Sequence, residues 1–443
     1  MDFRWEITNN PLSTLGGGSE AGISSKSGQT SNYSAYLVQI VNLESSKSIM
    51  SGSREHFFRH IAQTSQAPQA LEIEKAEGSW IYTTDGRKYL DLISGISVSN
   101  TGHRHPHVLG AIQTQLGKYL HTMVYGEHIQ APQVKFAERL CSILPSSLNS
   151  VYFTNSGSEA VEGAMKLAKR FTGRTEIIAF KNAYHGSTQG ALSLLGDEFF
   201  KNAFRPLLPE ITFLEFNNET DLDQIGKHTA AVFIEPVQGE AGVIPARLSF
   251  LKQLRKRCSE MGTLLVFDEI QTGFGRTGTM FAFEHYGTVP DVLLCAKGMG
   301  GGMPLGAFIS SREILQSLSH SPVLGHITTF GGHPVSCAAG LASLEVILNE
   351  NLLVTVRKKE KLFLELLNHE KIKERRASGL LVALEFESEK INTQIIASCL
   401  EKGIITDWFL FNSRSMRIAP PLTVSEEEIR FACSVILESI NNV

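Results

Sequence analysis

The sequence predicts an α/β protein: a large domain on a mostly parallel sheet, with a smaller α+β domain supplied by both chain ends. Three observations predict it. Between His105-Pro106 and about residue 335, helical periods alternate with short apolar runs, the pattern of a parallel sheet with helices on both faces. Asp85-Gly86, flanked by Trp80, Tyr82, Tyr89 and Leu90, is a two-residue hairpin signal near the start. The 443 residues also exceed what a single core holds, since cores stop growing near roughly 250–300 residues.

Taken in chain order, residues 1–49 contain Gly16, Gly17 and Gly18, much Ser and Asn and little apolar periodicity, and are expected to be a disordered extension. Met50 opens an amphipathic stretch (His56, Phe57, Phe58, Ile61) and is a candidate start of translation. Residues 50–105 are read as the first part of the small domain. Residues 106–334 are read as the large domain, with strands at Ser150–Thr154, Glu176–Phe180, 211–216, 230–234, 264–267 and Val292–Cys295. The second part of the small domain, 335–443, carries helices at 337–350 and 352–367 and strands at 379–386 and 415–418. A closing helix, Glu426–Asn441, follows a Ser425 cap.

Composition narrows the function classes. With 41 basic against 45 acidic residues the net charge is −4, and no like-charge run favours nucleic acid or an anionic membrane. The six cysteines (Cys141, Cys258, Cys295, Cys337, Cys399, Cys433) lack any CxxC pair or zinc-like spacing, and read as small buried hydrophobes in a reducing compartment. No metal site is expected. No apolar stretch approaches the roughly 20 residues that span a bilayer, and no secretory leader is visible, so a cytoplasmic protein is expected.

Three motifs carry chemistry. Thr154-Asn155-Ser156-Gly157-Ser158-Glu159-Ala160 ends a strand and opens a helix, whose first-turn N–H groups suit a phosphate; alone, these are ordinary capping residues. The stretch 263–271 puts Asp268 at the end of a buried strand, where an unpartnered carboxylate is costly. No GxxxxGK[ST] loop precedes it to bind a triphosphate, so a protonated heteroaromatic nitrogen is the better partner. Lys297 closes a third apolar strand before Gly298-Met299-Gly300-Gly301-Gly302, which lets a flat ligand approach; a lone lysine there would commonly snorkel. Together they supply what pyridoxal 5'-phosphate needs: an anchor, a partner for the ring nitrogen and a partner for the aldehyde. In a parallel sheet the three converge at the carboxyl edge.

At this point the chain from about residue 54 onward, nine-tenths of it, resembles the class III aminotransferases of the pyridoxal phosphate fold type I superfamily. The resemblance rests on Asn155-Ser156-Gly157-Ser158-Glu159-Ala160, Tyr184-His185-Gly186, Glu235-Pro236-Val237-Gln238-Gly239-Glu240, Asp268-Glu269-Ile270-Gln271, Lys297-Gly298 and Thr329-Phe330-Gly331-Gly332-His333-Pro334, in order and at family-like spacing. It implies that Gly157 and Ser158, with Ser156, bind the phosphate, that Tyr184 and Ile270 sandwich the ring, and that His185 belongs to the cofactor site. It implies that Asp268 keeps the ring nitrogen charged, that Gln271 bonds the phenolic oxygen, and that Lys297 holds the cofactor as a Schiff base. Once freed, Lys297 moves the proton between substrate Cα and cofactor C4′. It also implies a homodimer in which Thr329 of one subunit reaches the phosphate held by the other.

Among the ornithine and acetylornithine aminotransferases of this family, the second Glu of EPxQGE gates a C-terminal arginine; Glu240 and Arg417 match those positions, with Arg414 the alternative carboxylate binder. A departure follows the aromatic-His-Gly motif, where Ser187 stands in place of the arginine that grips a second carboxylate. The implied reaction moves an amino group from an ω-amino acid, diamine or amine to a keto acid such as 2-oxoglutarate or pyruvate, with Trp408, Phe409 and Phe411 as extra apolar lining or as core. The same ring site also serves aminomutases and racemases, which a requirement for keto acid excludes. A noncatalytic phosphate or nucleotide binder, which would be colourless, is the remaining alternative.

Overall fold

A computed structural model describes residues 52–443; the expectations for residues 1–49 and Met50 lie outside the described residues. The chain divides into two units at Glu72–Ile73. In the first, the helix Gly52–His60 buries none of its side chains, and Arg54 Nη1 donates to the Ala70 carbonyl at 3.1 Å.

The second unit opens with β1 (Ile73–Glu77), β2 (Trp80–Thr83) and β3 (Lys88–Asp91). The hairpin forms as expected: Trp80 faces Leu90, and Gly86 at φ +83° takes the left-handed position of the turn.

A seven-stranded sheet follows, made of β4 (Ser150–Thr154), β5 (Glu176–Phe180), β6 (Ile211–Leu214), β7 (Thr229–Ile234), and, beyond the small hairpin β8 (Val237–Gln238) and β9 (Ile244–Pro245), β10 (Leu264–Asp268), β11 (Val292–Cys295) and β12 (Gly306–Ser310). Its order is β4-β12-β11-β10-β7-β5-β6. Successive residues of the central strands feed opposite cores. Ile178, Val232, Leu265 and Leu293 pack into one cluster, and Ile177, Ala231, Val266 and Leu294 into the other. With both faces covered, apolar residues fill every position and the strands read as continuous runs.

One strand of this sheet escaped the sequence reading. β12 pairs antiparallel with both β11 and β4, because the connection 296–305 is too short for a crossover helix. It opens with glycine after a glycine-rich run, so its apolar core Ala307-Phe308-Ile309 stayed below notice.

The C-terminal part adds β13 (Glu374–Ala377), β14 (Val382–Glu385), β15 (Ile404–Ile405), β16 (Asp407–Phe409) and β17 (Asn412–Ile418). The strand expected at 379–386 is shorter because Gly379 turns at φ +64°. The one expected at 415–418 starts earlier, at Asn412, and pairs with β14 and β16. β15 joins β3 in parallel, so residues from both ends of this unit share a sheet. The closing helix Glu426–Asn441 carries a capping box, Ser425 and Glu428 exchanging bonds of 3.1 and 2.8 Å.

Candidate active site

The carboxyl ends of β7, β10 and β11 and the helix after β4 meet at one edge of the sheet. There Ser156, Gly157, Ser158, Tyr184, His185, Glu240, Asp268, Ile270, Gln271 and Lys297 line a single cavity of about 460 Å³. That is a volume suited to a small cofactor and substrate.

At the anchor end, Ser156 caps the helix Gly157–Thr172, its Oγ accepting from Glu159 N at 3.2 Å. The first-turn N–H groups of that helix open on the cavity. Space here is tight: a Cβ on Gly157 would lie 2.7 Å from Ile270 Cδ1, and one on Gly186 would lie 2.1 Å from Ser158 Oγ. At both positions the missing side chain lets a neighbour, Ile270 or Ser158, pack directly on the backbone.

Asp268 ends β10 with both oxygens engaged. Oδ2 lies 2.7 Å from His185 Nδ1 and Oδ1 accepts from Ile270 N at 3.0 Å. Burial disfavours a charged His185, but Asp268 outweighs it and raises the imidazole above its usual range. Glu235, to which the sequence pattern assigned no role, accepts from Tyr184 N and Gly239 N at 3.0 and 3.1 Å. Burial pushes its carboxyl up to about 7, His185 working against this and Asp268 with it. The signal was present in the sequence, since Glu235 opens the EPVQGE stretch.

Lys297 is not the strand end that the sequence suggested. β11 stops at Cys295, and Lys297 follows Ala296 at φ +50° as the first residue of a tight turn. A left-handed conformation is uncommon for a lysine, and the residue that adopts it lines the cavity. Burial lowers its amine below the ordinary range, with Glu240 and Asp268 pulling the other way. Asn100, also unanticipated, supports this turn: a Cβ on Gly298 would come within 2.5 Å of its Nδ2. Asn100 in turn donates to Phe274 O at 2.9 Å and accepts from Arg276 Nη2 at 2.6 Å. Arg276, fully buried, is pushed down to about 9 by its burial.

Two buried polar atoms of cavity residues, Gln271 Nε2 and His185 Nε2, have no hydrogen-bond partner, which in a folded interior points to a missing ligand or water.

Glu240 reaches the cavity from the β8–β9 hairpin and grips Arg417 on β17. The pair is bidentate, Nη1 to Oε1 at 2.8 Å and Nη2 to Oε2 at 2.7 Å. Burial opposes the Glu240 charge, yet Arg417 holds its carboxyl below the usual range. Arg414 lies elsewhere, half-exposed and 2.9 Å from Glu385, so the arginine on Glu240 is Arg417. Ser187 Oγ sits 3.0 Å from the Tyr184 hydroxyl. Trp408, Phe409 and Phe411 do not line the cavity. Phe409 is buried in a small cluster with Val237 and Leu381, Trp408 packs on the main core, and Phe411 meets Phe200 at 5.5 Å. Thr329 is exposed and outside the cavity.

Pyridoxal phosphate asks a protein for a dianion cradle, a carboxylate against its ring nitrogen and an amine for its aldehyde, and here one cavity answers all three on a largely parallel sheet. The fold and site thus define a pyridoxal phosphate-dependent enzyme of fold type I. Residues 61–440 match the model of the family Aminotransferase class-III. The chain is 38% identical over 380 residues to an acetylornithine aminotransferase from Archaeoglobus fulgidus, covering 86% of this chain and 98% of the relative. It is 37% identical over 392 residues to a putrescine aminotransferase from Pectobacterium atrosepticum, covering 84% and 82%. An ornithine aminotransferase from Toxoplasma gondii, crystallised with partial occupancy of PLP, superposes with a TM-score of 0.82 at 29% identity over 88% of this chain and 94% of that one. The chain belongs to the class III aminotransferases, and it is a pyridoxal phosphate-dependent transaminase.

Among the described residues no single helix is long and apolar enough to cross a membrane.

Proposed function

We propose that the enzyme moves an amino group from an ornithine- or acetylornithine-like donor, that is an ω-amino acid, a diamine or an amine, to a keto acid such as 2-oxoglutarate or pyruvate. The observation that carries this reading is the bidentate Glu240–Arg417 pair beside the cavity that Lys297 lines. An arginine fork takes a carboxylate, and a glutamate that covers it neutralises the site when an uncharged chain end enters. One pocket then accepts donor and keto acid in turn. Ser187, in place of a second cation, favours donors that bring no additional carboxylate.

When bound, pyridoxal phosphate supplies an electron sink for charge that develops at the substrate Cα. The helix start at Ser156, Gly157 and Ser158 would hold the phosphate, and Tyr184 and Ile270 would flank the ring. Gln271 Nε2 would donate to the phenolic oxygen. Asp268 would face the ring nitrogen, and its bond to the His185 ring fixes the direction of the carboxylate. Lys297 would carry the group and then, as a free amine, take the proton from substrate Cα and deliver it to C4′. Its lowered pKa keeps more of that amine neutral at a given pH.

A homodimer is part of the proposal. Thr329 is exposed and does not line its own cavity, and it neighbours exposed apolar side chains, Ile327 at 51% and Phe330 at 53%. The His121 ring lies 4.8 Å from Phe330 and Leu120 and Met123 are exposed beside it, the kind of patch a subunit interface covers. A cytoplasmic location suits the six free cysteines, five of them buried.

A donor panel tests the donor class. Turnover of ω-amines with 2-oxoglutarate or pyruvate is expected; reaction with α-amino acids alone would reverse the assignment, and turnover without keto acid would indicate an aminomutase or racemase.

A further inference from the structure

Arg417 is held by more than Glu240. β16 and β17 pair so that Asp407 stands directly opposite Arg417, and cross-strand neighbours share one face of the sheet. Asp407 Oδ1 lies 3.0 Å from Arg417 Nε. Both atoms are buried, and neither has a hydrogen-bond partner, so each is the other's electrostatic complement. The rest of the guanidinium is also occupied: Nη2 donates to the Trp408 carbonyl at 2.8 Å, and the plane lies over the Phe409 ring at 4.7 Å. One cation therefore faces two carboxylates.

The consequence follows from what can move. On the gate reading Glu240, from the β8–β9 side, gives up the Nη edge and its bond from Leu410 N at 3.1 Å, whereas Asp407 stands opposite Arg417 in the same sheet. A substrate carboxylate that arrives at Arg417 then meets a guanidinium already neutralised on its Nε edge, with a second anion close behind it. A donor whose far end is neutral or cationic meets no such repulsion.

We propose that Asp407 is a specificity-determining residue, a standing counter-charge on Arg417 that turns the pocket against donors ending in a carboxylate and towards those ending in a neutral or cationic group. The inference rests on the reading of Glu240 and Arg417 as the carboxylate gate. Burial pushes Asp407 up to about 6, Arg417 opposing and Glu240 and Asp91 adding to the rise.

The test compares γ-aminobutyrate with putrescine, two four-carbon amines that differ in having a carboxylate or a second amine at the far end. The holoenzyme is followed spectroscopically in the donor half-reaction, without keto acid, so that the acceptor does not enter. Asp407→Asn and Asp407→Ser should each raise the ratio of rate constants, γ-aminobutyrate over putrescine, on the order of tenfold, as expected for removing a like charge from a buried binding site. A ratio that stays put, or moves the other way, overturns the inference. Loss of a cooperative melt in both variants would overturn it too, assigning Asp407 to the core. In parallel, Arg417→Gln should raise KM for 2-oxoglutarate. If it does so while the Asp407 variants leave the ratio unmoved, only this inference fails. If Arg417→Gln leaves KM unchanged, the gate reading fails and takes this one with it.

Discussion

At the scale of residues, the site works by setting buried charges against one another around a single cavity. Lys297, Asp268, His185, Glu235 and Glu240 lie close enough that each shifts or orients another: Lys297 and Glu240 are moved below their ordinary ranges and His185 and Glu235 above theirs. Asp268→Asn removes the anion proposed to face the ring nitrogen while keeping size and the option of a bond to His185. Transfer should fall on the order of 10²–10⁴-fold with the thermal melt little changed, as for other groups that act on the reacting proton and its charge; steady-state kinetics with calorimetry would check both. An Asp268→Asn enzyme with unaltered kcat would remove the acid from the chemistry.

At the scale of elements, strand ends and the turns that follow them deliver the groups. Glu269, next to Asp268, ties the end of β10 to the turn Ala282–His285, accepting from Ala282 N, Phe283 N and Thr272 Oγ1 at 2.6, 2.7 and 2.8 Å. Its burial lifts the carboxyl from 4.5 to about 7. Because the folded state binds this proton more tightly than the unfolded chain, Glu269 stabilises most fully below pH 4.5, and that contribution is lost as pH rises towards about 7. The melting temperature of Glu269→Gln minus that of the wild type should therefore climb between pH 4.5 and 7 and level off above; a flat difference would contradict the assignment. Gly157 makes a second case. Alanine there would press on Ile270 at 2.7 Å and should weaken cofactor binding on the order of tenfold without changing helix content, since about 1.4 kcal/mol is a factor of ten; an absorbance titration with pyridoxal phosphate reads it.

Elements also explain what the sequence could and could not convey. The fully apolar runs of β7, β10 and β11 and the Gly-rich turns after them were legible because burial on both faces leaves no polar positions to blur the pattern. The fold followed from those runs, and the helix start at 156–158, Asp268 and Lys297 from the residues near their ends, whereas Tyr184, His185, Ile270, Gln271 and Glu240 came only with the family resemblance. β12 stayed hidden because its context is glycine-rich and one of its two partners, β4, is distant in sequence. The place of Trp408, Phe409 and Phe411 was ambiguous because aromatic residues fit a pocket and a core equally well. Asn100 and Arg276 lie far in the chain from the residues they support, and Asp407, though only a hairpin away from Arg417, needs the strand register to show that the two stand opposite each other.

At the scale of the whole molecule, the proposed dimer makes the site a shared one. Sedimentation should give a mass twice that of the 48.7 kDa chain, and Thr329→Val should weaken cofactor binding although Thr329 lies outside its own subunit's cavity. A stable, active monomer would refute both. The central claim is that Lys297 is the amine through which this enzyme holds and uses its cofactor, and its most direct measurement is borohydride reduction of the enzyme with pyridoxal phosphate, followed by peptide mapping. The account predicts a single modified peptide with the added mass on Lys297, and none from the inactive Lys297→Ala variant. The same label on a different lysine, or undiminished transfer by Lys297→Ala, would contradict it.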